Sequence, residues 1–137
     1  MEKEDKKLLT DLCARLPYGV KITIDDNIPI ILNQISYNDG YVVENNECYS
    51  LEHFVIKPYL FPLSSITKLQ KAELENLGWH FDNFEIHNVS EYLGTYREFV
   101  SHLDCFVLID WLNKNHFDYR GLISKGLAID ATGLNIY

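Results

Sequence analysis

The sequence predicts an α+β fold with an N-terminal helix, a small antiparallel β-meander or SH3-like partial barrel, and two or three C-terminal helices packed on it. Apolar residues recur at helical spacing near the N-terminus, short strand-like segments separated by turn residues follow, and helical signals return after Thr67. Because 137 residues with 47% hydrophobic content fit one ordinary globular core, we expect a single domain over residues 1–137.

The first element is an amphipathic helix predicted over residues 3–16, because Leu8, Leu9, Leu12 and Leu16 fall on one helical stripe. The sequence Pro-Tyr-Gly at 17–19 ends it. Residues 20–24 then alternate between apolar and polar side chains, which is typical of a strand with one buried face. A helix followed by a half-buried strand is therefore expected at the start of the domain.

Short strands are predicted over 28–37, 41–43, 48–51 and 54–56, because these segments are rich in β-branched and aromatic residues. Turn residues at 26–27, 38–40 and 45–46 separate the first of them, so antiparallel hairpins are expected. The segment 57–63 contains Pro58 and Pro62 and is predicted to be an extended crossover without regular structure.

Helical signals dominate the C-terminal half. Thr67 and Gln70 have the spacing of a capping box, which predicts a helix over 68–77. The segment 79–94 lacks a sustained period and is predicted to be an irregular loop, whose aromatic residues either pack under the sheet or form a recognition surface. Thr95 is predicted to cap a long helix that ends near Asn115. A short helix over 119–125 is expected to be capped by Asp118 and closed by Gly126.

Charge and cysteine content exclude several classes of function. The net charge is −8, and no Lys or Arg interrupts the acidic residues between Lys21 and Lys57, so DNA or RNA binding is not expected unless a small local patch opposes the overall field. The charged N-terminus lacks the apolar segment of a signal peptide, and no membrane span is predicted. The three cysteines are far apart in the sequence and are expected to be buried thiols. Because free thiols are typical of reducing compartments, we expect a cytoplasmic protein.

Polar side chains that could take part in catalysis concentrate at 113–126, and two interpretations of them remain open. In the structural one, His116 favours the negative end of the preceding helix and Asp118 caps the next. In the functional one, His116 is an acid or base oriented by Asp118, with Arg120 available for an anion, as in a small hydrolase-like or nucleotide-processing enzyme. The histidines are too scattered to predict a metal site, and no cofactor motif is present.

A non-enzymatic module that binds another protein is the preferred functional hypothesis. The acidic hairpin offers Glu44 and Glu47 to a basic or neutral partner, while aromatic residues and one arginine offer a second surface. We therefore expect the binding residues to include Glu44, Glu47, Trp79, Phe81, Tyr119 and Arg120.

Three phrases of the sequence carry a resemblance to a family: LCARLPYGVK at 12–21, KPYLFPLSS at 57–65, and HFDYRGL at 116–122 with GLAID at 126–130. Together they resemble small uncharacterised proteins of gut Bacteroidales and their phages and mobile elements. The resemblance covers nearly the whole chain. It implies a small cytosolic accessory protein of bacterial or phage origin and implies no particular activity.

Overall fold

The computed structural model describes residues 3–36, 40–82, 85–88 and 102–137. Its helices are α1 (Lys3–Arg15), α2 (Lys68–Asn76) and α3 (His102–Lys114), with 3₁₀ turns at Leu16–Tyr18 and Leu63–Ser65. The α+β class, with an N-terminal helix, antiparallel sheets and a C-terminal helix, is confirmed. The strands, in chain order, are β1 Lys21–Ile24, β2 Ile30–Ile31, β3 Gln34–Ser36, β4 Tyr41–Glu44, β5 Glu47–Ser50, β6 Ile56–Pro62, β7 Trp79–Asp82, β8 Glu85–Asn88, β9 Phe117–Asp118 and β10 Ile129–Asp130.

The strands form small separate sheets within the described ranges. One sheet has the order β10-β6-β1-β2, with β9 also paired to β6, and its β1–β2 and β1–β6 pairings are antiparallel. The pairings of β6 with β9 and β10 are parallel. A β3-β4-β5 meander and a β7-β8 hairpin make up the others. Strand β6 therefore joins the N-terminal half of the fold to the segment after α3.

Strand β6 corrects the prediction of an irregular crossover over 57–63. Both Pro58 and Pro62 lie within the strand, and Pro58 is in register with Ile22 of β1. A proline in a strand removes one backbone donor, but its fixed φ is compatible with extended backbone. Neighbours on both sides, including two parallel strands that come from the C-terminal segment, hold β6 in the sheet.

The segment after α2 also differs from its prediction. The irregular loop expected over 79–94 begins as the antiparallel hairpin β7–β8, in which His80 is paired with His87. The start of the helix predicted at Thr95 lies outside the described residues, and the part that is described runs from His102 to Lys114. Residues 122–126 form turns instead of the short helix that was expected there.

Two buried clusters hold these elements together. The first packs α1 against the strands and includes Leu9, Leu12, Ile22 and Leu60. The second packs α2, β7 and α3 together around Leu74, Trp79, Trp111 and Phe117. Helix α2 begins with the predicted capping box, in which Gln70 N donates to Thr67 Oγ1 at 3.2 Å and Thr67 N donates to Gln70 Oε1 at 2.9 Å.

The cysteines do not follow their predicted burial. Cys48 and Cys105 are exposed and Cys13 is partly buried, and all three are free thiols. The apolar neighbours that suggested burial are adjacent in sequence, but successive residues of a strand or helix point in different directions.

Candidate functional site

A basic groove lies between the first half of α1 and the turn that follows β9. Its cavity has a volume of about 370 Å³, within the range of small-ligand sites. Five of its seven lining residues are cationic, out of the twelve Lys and Arg residues of the chain. The groove is lined by Lys3, Lys6, Lys7, Thr10, Arg120, Leu122 and Lys125.

Helix α1 places four of these residues on one face. Lys3, Lys6, Lys7 and Thr10 follow the spacing i, i+3, i+4 and i+7, which aligns side chains along one side of a helix. The leucines of α1 are buried in the first core. The amphipathic pattern that docks the helix on the sheets therefore also presents its lysines to the groove.

Arg120 is positioned by a carboxylate that is fully buried. Its Nε donates to Asp11 Oδ1 at 3.1 Å, while the other oxygen of Asp11 accepts from Arg15 Nε at 2.8 Å. The side chains of Asp11 and Arg15 are completely buried, and that of Arg120 is 34% exposed. One buried carboxylate thus connects a structural arginine in the core with an arginine at the groove.

Tyr119 and Arg15 complete the support of this network. Arg15 Nη2 donates to the Phe117 carbonyl at 2.6 Å, which ties α1 to β9. The guanidinium carbons of Arg15 and Arg120 lie 5.2 and 5.0 Å from the centre of the Tyr119 ring, within the range of cation–π attraction. The Tyr119 hydroxyl donates to Asn113 Oδ1 at 2.8 Å. Arg120 is therefore held in place by its ion pair with Asp11 and by the ring of Tyr119.

The lysines of the groove are much less compensated. Among the described residues, none of Lys3, Lys6, Lys7 and Lys125 forms an ion pair with a carboxylate. The pKa of Lys7 is lowered, mainly by the close approach of the Lys125 side chain and its positive charge, against a weaker attraction from Glu4. These two like charges repel each other at the groove, and a bound anion would reduce that repulsion.

His116 occupies a buried structural position. It has φ +61° just after α3, its ring stacks on Tyr137 with centres 3.8 Å apart, and its Nδ1 is buried with no hydrogen-bond partner among the described residues. Burial, and secondarily the charge of Arg15, lower the pKa of His116 to about 4. The imidazole is therefore neutral at pH 7, and the prediction of a charged histidine favoured by the helix end is wrong.

Asp118 is used by the backbone of the following turn. Its carboxylate accepts hydrogen bonds from Leu122 N at 3.0 Å, Ile123 N at 2.9 Å and Arg120 N at 3.3 Å. Asp118 forms no hydrogen bond with His116 in the part of the chain that the structure describes. The structure therefore brings Arg120 to the groove, whose lining includes neither His116 nor Asp118.

The remaining predicted binding residues lie in different environments. Trp79 and Phe81 are only 7% and 9% exposed and pack in the second core, so the interpretation of buried aromatic residues is the right one and neither residue offers a binding surface. Glu44 and Glu47 face each other as neighbours at the end of the β4–β5 hairpin, where Glu47 accepts a hydrogen bond from Tyr49. Tyr119 is half-buried beneath the two arginines.

The groove lysines were not singled out from the sequence, although part of their signal is visible there. The spacing of Lys3, Lys6 and Lys7 marks a basic stripe once a helix is assigned. Lys125 gives no such signal, because only the tertiary fold brings it to Lys7.

Comparisons of the chain with protein-family models, curated proteins and solved structures found no match. Across the described residues, no group of three or more His, Cys, Asp or Glu side chains is placed to share a metal ion. No described helix is long and apolar enough to cross a membrane. The groove and its supporting network are thus the site on which a functional proposal can be built.

Proposed function

We propose that this protein is a non-enzymatic interaction module that binds an acidic segment of a partner protein in the basic groove. The observation that carries the proposal is the convergence of five cations on one cavity, with no carboxylate paired to the lysines among the described residues. Concentrated charge of one sign in a concave site focuses the local field and attracts the opposite charge. The complementary ligand is an anion.

The surrounding negative charge favours a short acidic segment over a long polyanion. Fields of exposed charges are screened over about 10 Å at 0.1 M salt, so at contact the groove lysines outweigh the net charge of −8. A nucleic acid strand would extend beyond the groove over a chain whose net charge is −8. The field therefore favours a ligand small enough to lie within the cavity.

The composition of the groove supports binding rather than catalysis. Its described lining contains no His, Asp, Glu or Cys, the residues that most often serve as acids, bases or nucleophiles. Thr10 lines the groove, but its hydroxyl donates to the Lys6 carbonyl at 2.8 Å, with no base beside it in the lining. An enzyme that uses His116, Asp118 and Arg120 is disfavoured because the first two side chains serve the fold.

The acidic hairpin is the alternative docking surface. Glu44 and Glu47 are cross-strand neighbours of like charge, which is unfavourable unless a cation binds there. A basic partner would relieve that repulsion. We rank it second because Tyr49 already donates to Glu47, and because two side chains beside a turn offer less complementary charge than five around a cavity.

The compartment and origin of the module are part of the same proposal. We propose a cytosolic bacterial or phage accessory protein, on the basis of the resemblance carried by the phrases at 12–21, 57–65 and 116–130. An intracellular setting is compatible with three free thiols.

Fluorescence anisotropy with a labelled acidic peptide, six Glu residues flanked by Gly and Ser, tests the proposal. The variant Lys6→Gln/Lys125→Gln removes two groove charges and is expected to weaken binding about tenfold at low salt, as expected for two surface charge contacts. Lys68→Gln/Lys114→Gln is the matched control, because it removes two exposed lysines elsewhere and leaves the same net charge.

Equal weakening of peptide binding by the two double variants would refute the groove as the binding site, since it would show that affinity responds to net charge alone. A second control reverses the hairpin with Glu44→Lys/Glu47→Lys, which should leave the groove's affinity unchanged apart from a salt-sensitive gain. The opposite result would be that the acidic peptide does not bind, whereas a Lys-rich peptide binds to the natural protein and loses its binding in Glu44→Lys/Glu47→Lys. The partner would then dock on the acidic hairpin.

A further inference from the structure

The charge of the groove exceeds what one carboxylate can neutralise. Five cationic side chains surround about 370 Å³, a volume comparable to that of a small ligand or of one or two side chains. A carboxylate carries one negative charge, whereas a phosphate monoester carries about −1.5 to −2 at pH 7 on three acceptor oxygens. A single phosphate therefore matches the density of charge better than several carboxylates, which would have to enter together.

Lys7 and Lys125 are the groove cations whose mutual repulsion a phosphate would reduce most directly. Both line the groove, the close approach of Lys125 lowers the pKa of Lys7, and neither is paired with a carboxylate in the described part of the chain. A tetrahedral dianion has oxygens directed to several sides, so it can accept from both ammonium groups at once. One carboxylate would leave most of the cationic charge around it uncompensated.

Arg120 adds a donor whose position is fixed by its neighbours. Its Nε is committed to Asp11, and its Nη2 lies 3.4 Å from the Tyr119 hydroxyl. Its Nη1 has no acceptor among the described residues. Because Asp11 and Tyr119 hold the guanidinium plane, little side-chain freedom remains to be lost when an anion binds.

The Thr10 hydroxyl in the groove lining is not available to donate a hydrogen bond to a ligand. The Thr10 Oγ1 proton is used by the Lys6 carbonyl, so Thr10 cannot simultaneously donate it to a ligand. The remaining donors are charged, which is the typical composition of sites that recognise phosphorylated residues through clusters of basic side chains.

We propose that the anion taken by this groove is a phosphate monoester dianion on a phosphorylated side chain of the partner, held by Lys7, Lys125 and Arg120. This inference rests on the proposed binding of an acidic segment and specifies its chemistry. Lys3 and Lys6, which lie along the same face of α1, then contact acidic residues next to the phosphorylated position. Phosphorylation of the partner would in that case control docking.

Isothermal titration with three matched peptides tests the proposal. They share one Gly/Ser/Ala/Glu sequence and differ at a central residue, which is Ser, Glu or phosphoserine. The phosphoserine peptide is expected to bind about tenfold more tightly than the Glu peptide, and the Ser peptide most weakly. Lys7→Gln/Lys125→Gln should abolish the preference for phosphoserine, whereas Lys68→Gln/Lys114→Gln should preserve it.

The possible outcomes separate this inference from the proposed function. Equal affinity for the Glu and phosphoserine peptides would overturn the phosphate inference and leave acidic-segment binding intact. Failure of every acidic peptide to bind would overturn both. Phenyl phosphate that binds as tightly as the phosphopeptide would support the phosphate site but assign it to a small molecule, and tighter binding of a single-stranded oligonucleotide would refute a protein ligand.

Discussion

The basic groove and the turn segment 116–126 overlap at Arg120, Leu122 and Lys125, but their other polar residues are used in opposite ways. In the turn segment, Asp118 accepts three backbone hydrogen bonds and His116 is buried against Tyr137. In the groove, the described structure pairs none of the four lysines with a carboxylate. A polar group satisfied by its own chain has little capacity left for a ligand, whereas unsatisfied charge is available for binding.

Arg120 belongs to both regions and shows how they are connected. Its sequence position places it in the conspicuous polar segment, while Asp11 directs its side chain to the groove. Asp11 and Arg15 form a fully buried pair, so their attraction is not weakened by bulk water. The fold thus uses internal charge to position one external charge.

The largest effect that would test this comparison is expected from Asp118→Ala. The substitution removes acceptors for three backbone amides, one of them buried at Leu122, and should lower the free energy of unfolding by about 2 kcal/mol. Urea denaturation measures the loss. Asp130→Ala is the control, because Asp130 is exposed and its carboxylate accepts, among the described residues, only from Thr132 N. Equal losses in the two variants would contradict the structural role of Asp118.

The fold was predictable where its signals are local. The leucine spacing of α1 and the capping box at Thr67 each involve residues within a few positions of one another, and both were confirmed. The strand β6 was missed because its neighbours come from distant parts of the chain and override the prolines. The β7–β8 hairpin is hard to predict because each of its strands has only four residues, which is short for a sustained alternation of apolar and polar side chains.

The site was only partly predictable for the same reason. Arg120 can be identified as a candidate from the sequence, but its partner Asp11 lies 109 positions away, within an amphipathic helix that gives no sign of the contact. The turn segment has the composition of an active site because it groups residue types that also occur in active sites. Composition cannot distinguish a histidine that is buried and neutral from one that is poised for proton transfer, because the distinction depends on tertiary burial.

A smaller, pH-dependent effect is expected from His116. Its pKa is about 4 in the folded protein against an ordinary value of 6.5, so between these values the unfolded chain binds more protons than the folded one. Acidification from pH 7 to pH 5 should therefore reduce stability through this residue. His116→Asn does not titrate and tolerates the positive φ, so its stability should fall less over that range.

Urea denaturation of both proteins at several pH values measures this difference. Carboxylates that titrate in the same window are common to the two proteins, so the difference between the curves isolates His116. A histidine stabilised in its charged form by the end of α3 would have the opposite sign and would gain stability on acidification. Parallel curves would show that burial does not perturb His116.

The smallest stability effect is expected within the groove, where Lys125→Glu places a carboxylate beside Lys7. Because the substitution replaces repulsion with attraction at an exposed position, the unfolding temperature should be unchanged or slightly raised at low salt, and the difference should disappear in high salt. The unfolding temperature of Lys125→Gln, which removes the charge without reversing it, should fall between those of the natural protein and Lys125→Glu.

Affinity for the acidic peptide should follow the reverse order: it should be strongest with the natural lysine, weaker in Lys125→Gln and weakest in Lys125→Glu. Stability and binding that change in opposite directions at one residue are the pattern expected when a protein retains unfavourable charge for a ligand. A loss of stability in Lys125→Glu would show instead that the lysine serves the fold, as Asp118 does.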